Sequence, residues 1–159
     1  MEYALEILKQ TRKNIRELIA GLPDAALLHI PAKHRNNLLW NIGHVVVVQQ
    51  LLCYRSLGLP IAVDEIFVNS FKKDSSPAGW QTTPDIKFVK EMLIATAEKF
   101  GEDYRAGLFR SRFKFPVKLK MVYGITLANR DEAILFNNTH EAMHLGIMMS
   151  LKKHVVGNA

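Results

Sequence analysis

Apolar residues recur along this chain at helical spacing in four long blocks, separated by stretches rich in turn-forming residues. Between Tyr3 and Gly21, Ala4, Leu8, Thr11, Ile15, Leu18 and Leu22 fall on one face, with Glu, Lys and Arg on the other, which predicts an amphipathic helix. Gly21 and Pro23 end it. From Asn36 or Asn37 to Leu57 the apolar residues run almost all the way round: Leu38, Leu39, Trp40, Ile42, Val45 to Val48, Leu51 and Leu52. Four consecutive valines suit a strand by propensity, but the length and the asparagine start predict a helix buried between neighbours, closed by Gly58 and Pro60. A third helix is expected from Thr83, as cap before Pro84, to Tyr104 or Arg105, with Ile86, Val89, Leu93, Thr96, Phe100 and Tyr104 inward. The last should run from a Thr126 cap to His154, with Ala133, Phe136, Asn137, His140, Met143, His144, Ile147 and Leu151 as its stripe. The intervening 58–84 and 107–125 segments carry the breakers Pro60, Pro77, Gly79, Pro84, Gly107, Pro116 and Gly124. A connection as long as the first is usually functional or holds a short helix of its own. Four helices with two long connections predict an all-α fold, an antiparallel four-helix bundle.

The totals narrow this picture without changing it. With 159 residues, 48% of them hydrophobic and 23% charged, one domain spanning 1–159 with a full core is expected. A single cysteine, Cys53, excludes an internal disulfide framework and suits a reducing compartment. No signal-peptide pattern is visible at the N-terminus, and the most apolar window, Ile42 to Leu52, is too short for a membrane span. A cytoplasmic protein with no membrane association is therefore expected. The formal charge of +6 permits an acidic partner, yet the basic residues are scattered. Only Arg110 to Lys120 alternates base with aromatic or aliphatic residues as a nucleic-acid surface does. A solvated basic segment is the favoured reading there, with nucleic-acid binding ranked last.

The last helix carries His140-Glu141-Ala142-Met143-His144. Two histidines four apart project from one face and can share a metal ion. The run also matches the H-E-x-x-H pattern of zinc proteases. That reading fails downstream: a metzincin needs Gly at 147 and His at 150, where Ile147 and Ser150 stand, and no acidic residue follows Glu141. His154 lies ~15 Å further along the same helix at ~1.5 Å per residue. Upstream, His29 and His34 fall in a polar connection, whereas His44 sits in the apolar second helix beside Gly43. His44 facing His140 and His144 would give a three-nitrogen site with open positions. Glu141 projects roughly 100° from His140. It stands either as an orienting group or general base, or as a helix-pairing or solvated carboxylate. Asn137, one turn before His140, is a candidate lining residue.

Asn36-Asn37-Leu38-Leu39-Trp40-Asn41-Ile42-Gly43-His44 and His140-Glu141-x-x-His144-Leu145-Gly146, with Pro31, Phe71 and Pro77-x-x-Trp80 in order between or before them, resemble the DinB-like (DinB/YfiT-like) family of metalloenzymes over essentially the whole chain. The resemblance implies a four-helix bundle, often a homodimer, with a divalent metal, commonly nickel or zinc, on His44, His140 and His144. Some relatives are thiol-dependent S-transferases or isomerases using a low-molecular-weight thiol; many have no known substrate. A metal-dependent hydrolase or thiol S-transferase acting on a small molecule is one expectation. A non-catalytic metal-binding or dimerisation module is the other.

Overall fold

A computed structural model describes residues 1–109 and 124–156. The helices are α1 (Glu2–Ile19), α2 (Asp24–Leu28), α3 (Leu38–Cys53), α4 (Glu65–Phe71), α5 (Ile86–Arg105) and α6 (Arg130–Val156), with 3-10 turns at Arg55–Leu57 and Pro77–Gly79. Among the described residues there is no strand. Burial on all sides outweighs the strand propensity of Val45 to Val48: fourteen of the sixteen residues of α3 are buried.

The four long helices pack in a ring, α1 against α5 and α6, and α3 against α5 and α6. Their directions follow from the paired residues. Asn138 reaches the Ala4 carbonyl and Lys152 the Leu18 carbonyl, so α1 and α6 run parallel. Gln49 with Thr96 and Tyr54 with Asp103 make α3 and α5 parallel. Arg12 with Leu93 and Glu2 with Arg105 set α1 antiparallel to α5, while His44 with His140 and Asn41 with His144 do the same for α3 and α6. The long connection after α3 returns the chain to the far end of the bundle. It carries α4, the short helix that so long a segment needs to bury apolar side chains: Phe67, Val68 and Phe71 close over α3.

The start of α3 is as expected, and those of α5 and α6 differ from expectation where a better side-chain acceptor lies nearby. The first amide of α3 to be capped is that of Trp40, by Asn37. Asp85, not Thr83, caps α5 through the Phe88 amide. Asn129, not Thr126, caps α6 by accepting from the Glu132 amide, and the Glu132 carboxylate accepts from the Ala128 amide one residue before the cap, a close relative of the capping box. The second helix stops at Cys53, and Arg55–Leu57 continue as a 3-10 turn to Gly58 in the left-handed region. Cys53 is buried, and burial pushes its thiol well above the usual range, which keeps it unreactive. The Arg110 to Lys120 segment lies outside the described residues. No helix among them is long and apolar enough to cross a membrane.

Candidate metal centre

The site is built where α3 and α6 cross. Helical periodicity turns His140 and His144 toward α3, and the all-round burial of α3 places His44 opposite them. The ring centroids of His44, His140 and His144 are 4.5 to 5.2 Å apart, and one candidate ligand atom from each lies within 4.8 Å of the others. Zinc–nitrogen bonds of ~2.0–2.1 Å bring three such atoms onto one ion after small side-chain movements. The cluster is therefore fit to hold a divalent metal.

Two rings are oriented by hydrogen bonds on the side away from the cluster. His44 Nδ1 donates to the Phe71 carbonyl at 2.6 Å, and His144 Nδ1 donates to Asn41 Oδ1 at 2.8 Å. A carbonyl oxygen only accepts, so each Nδ1 carries the proton and each Nε2 keeps its lone pair free. This fixing of tautomer and ring angle is the usual companion of metal ligation. Asn41 takes its orientation from the Asn37 carbonyl, to which its Nδ2 donates at 2.7 Å. Trp40 stacks on His44 with centroids 4.4 Å apart, and its indole N–H donates to Ser75. Phe71 belongs to α4, so the long connection after α3 is tied to the centre at two points.

Burial dominates the electrostatics. It pulls His44 below its ordinary value against the opposing hydrogen bond to Phe71. His140 falls to about 3 through burial, then His44 and the Arg12 guanidinium. His144 falls to about 3 through burial, then His140 and His44. Among the described residues the three neutral imidazoles converge without a carboxylate in the cluster to favour their protonated form, which is the donor set a divalent cation takes.

Glu141, between His140 and His144 in sequence, turns to the opposite neighbour. It is 0% exposed, and Arg12 of α1, also 0% exposed, binds both its oxygens at 2.5 and 2.8 Å. Arg12 also donates to the Leu93 carbonyl, to Thr96 and to the Val45 carbonyl, so one side chain joins all four long helices. Asn137 is buried and donates to Glu141 Oε1 at 2.8 Å. Of the readings open for Glu141, this geometry is that of a carboxylate pairing helices. His29 and His34 stand outside the cluster; His34 lies beside His154, 5.5 Å between rings.

Sequence reasoning passed over Arg12 and Asn41. Arg12 falls next to Thr11 on the inward stripe of α1, and a cation beside an apolar face was the available signal. Asn41 lies three residues before His44, within the motif that carried the resemblance.

The model of the DinB superfamily matches residues 7–148, and the chain belongs to that superfamily. No curated protein matches it. All three histidines lie within the matched range, as do Arg12, Asn41, Phe71, Asn137 and Glu141.

Proposed function

We propose that this protein is a metal-dependent enzyme acting on a small molecule, with His44, His140 and His144 as the ligands of one divalent ion, nickel or zinc. The observation that carries the reading is the convergence of three imidazoles of which two are held in the ligating tautomer by Phe71 and Asn41. When bound, such an ion supplies Lewis acidity toward water or toward the sulfur of a low-molecular-weight thiol. Hydrolysis and thiol-dependent S-transfer are the two reaction classes in view.

The chain's own residues supply position. His44, His140 and His144 present lone pairs; the Phe71 carbonyl and Asn41 hold two of the rings against rotation; Trp40 covers one face of His44. Glu141, with both oxygens committed to Arg12 and one also to Asn137, serves the bundle rather than proton transfer. A bound ion would lower the pKa of water and of a thiol alike, so the commitment of Glu141 leaves hydrolysis and thiol transfer both in view. The same observation supports the alternative of a non-catalytic metal-binding module. Leu135 and Met149, 54% and 53% exposed, project from the side of α6 remote from His144 by helical geometry and support a homodimer.

The test is uptake of Ni2+ and Zn2+ by metal-free protein, followed by turnover of electrophiles with small thiols. Stoichiometric uptake and thiol-dependent turnover are expected. Uptake without turnover across the thiols would favour the non-catalytic module, and no uptake would end both.

A further inference from the structure

The third ligand differs from the other two in one respect. Phe71 and Asn41 satisfy the outer nitrogens of His44 and His144, but His140 Nδ1 is buried and makes no direct hydrogen bond. A ring N–H buried without an acceptor is costly, so a proton on this nitrogen calls for a partner. One turn earlier on α6, Asn137 Oδ1 is buried and likewise makes none. One group is a donor and the other an acceptor. Residues three apart on a helix share a face, with Cβ atoms ~5–6 Å apart, which puts the two side chains near enough to share a bridging water.

The orientation of the Asn137 amide follows from chemistry. An ionised carboxylate only accepts, so the group facing Glu141 is Nδ2 and the remaining oxygen is the one left for His140. Glu141 is in turn fixed by two bonds from Arg12. We propose that His140 ligates through Nε2, as His44 and His144 do, and that Arg12, Glu141 and Asn137 form a positioning relay for it, in which Asn137 Oδ1 accepts the Nδ1 proton of His140 through a single water. Each of the three ligands then has its own orienting acceptor: a backbone carbonyl for His44, Asn41 for His144 and the relay for His140. Arg12 and Asn137 are positioning residues, acting on the site from a helix that supplies no ligand and from the turn before His140. The inference rests on the metal reading above and goes beyond it.

Co2+ is the probe. In the Co2+-loaded protein each histidine ligating through Nε2 shows one strongly shifted exchangeable Nδ1 proton by NMR, and three are expected. Asn137→Ala should lose one of these to solvent exchange and weaken Co2+ binding about 10-fold, the lower end of what loss of an orienting partner costs, while Asn41→Ala removes a different one. The double variant Arg12→Met with Glu141→Leu replaces a buried ion pair by apolar groups of similar volume, which often preserves stability. It should keep the melting temperature, free the Asn137 amide to rotate, and weaken Co2+ binding as Asn137→Ala does. Three unchanged proton signals and unchanged affinity in Asn137→Ala would overturn the relay and leave the metal reading standing. Wild-type protein that takes up no Co2+ would overturn the metal reading itself.

Discussion

Adding one methyl group at Gly43 tests how tightly the centre is coupled to the connection after α3. Glycine inside a helix normally costs about 1 kcal/mol relative to alanine, so Gly43→Ala would ordinarily stabilise. Here the new Cβ would lie 2.4 Å from two ring atoms of Phe71 and 2.6 Å from a third. Phe71 is 0% exposed and packs against Phe67 and Trp80, at 4.8 and 5.6 Å between centroids, so it has no open space to enter. Ordinary contact needs about an ångström more, which α4 must supply by moving. Contacts as close as 2.4 Å put the clash in the upper part of the ~1–3 kcal/mol that overpacking costs, about 2–3 kcal/mol, and set against the propensity gain of about 1 kcal/mol the net loss is about 1–2 kcal/mol. For a chain of this size that is roughly 2–8 °C in melting temperature. Because the Phe71 carbonyl also orients His44, the shift should weaken Co2+ binding by about 10-fold or more. The assays are thermal melts of metal-free protein and calorimetric Co2+ titration, with Gly146→Ala, whose Cβ meets nothing within 4 Å, as the helical control expected to stabilise. A Gly43→Ala protein as stable as that control, with wild-type Co2+ affinity, would refute the coupling.

Three further outcomes follow from the same contacts. Asn41→Ala removes the acceptor of His144 and should lower Co2+ affinity about 10- to 100-fold in a protein that still melts cooperatively, as titration and circular dichroism would report. Arg12→Ala strands Glu141 as an unpaired buried charge and should cost about 3–5 kcal/mol, read as the urea midpoint; a loss below 1 kcal/mol would contradict the buried pair. In metal-free protein His140 and His144 take up no second ring proton until about pH 3, whereas unfolded histidines become imidazolium near pH 6.5. Their contribution is thus full above that pH and lost as pH falls toward 3, with a limiting slope of about 1.4 kcal/mol per pH unit for each; a urea midpoint flat between pH 6.5 and 4.5 would count against it.

The helices were legible because their apolar periodicity is local, and His140 with His144 because four-residue spacing guarantees one face. His44 could be picked out because a histidine amid Ile42 and Val45 to Val48 must find a partner. Glu141 shows where such reasoning stops. Its position between two ligands says nothing of which neighbouring helix it meets, and that depends on Arg12, 129 residues earlier. The Phe71 carbonyl was equally out of reach, since a backbone acceptor leaves no mark in residue type. The caps of α5 and α6 were misplaced by a few residues because several Thr, Asn and Asp side chains compete near those starts, and packing decides among them.

The central claim is that three histidines from two helices hold one metal ion. Metal analysis of freshly purified wild-type protein beside His44→Ala addresses it most directly. Close to one equivalent of nickel or zinc in the wild type, lost in His44→Ala while the melt stays cooperative, is the predicted result. Equal metal content in the two, or none in the wild type even after incubation with Ni2+ and Zn2+, would contradict it.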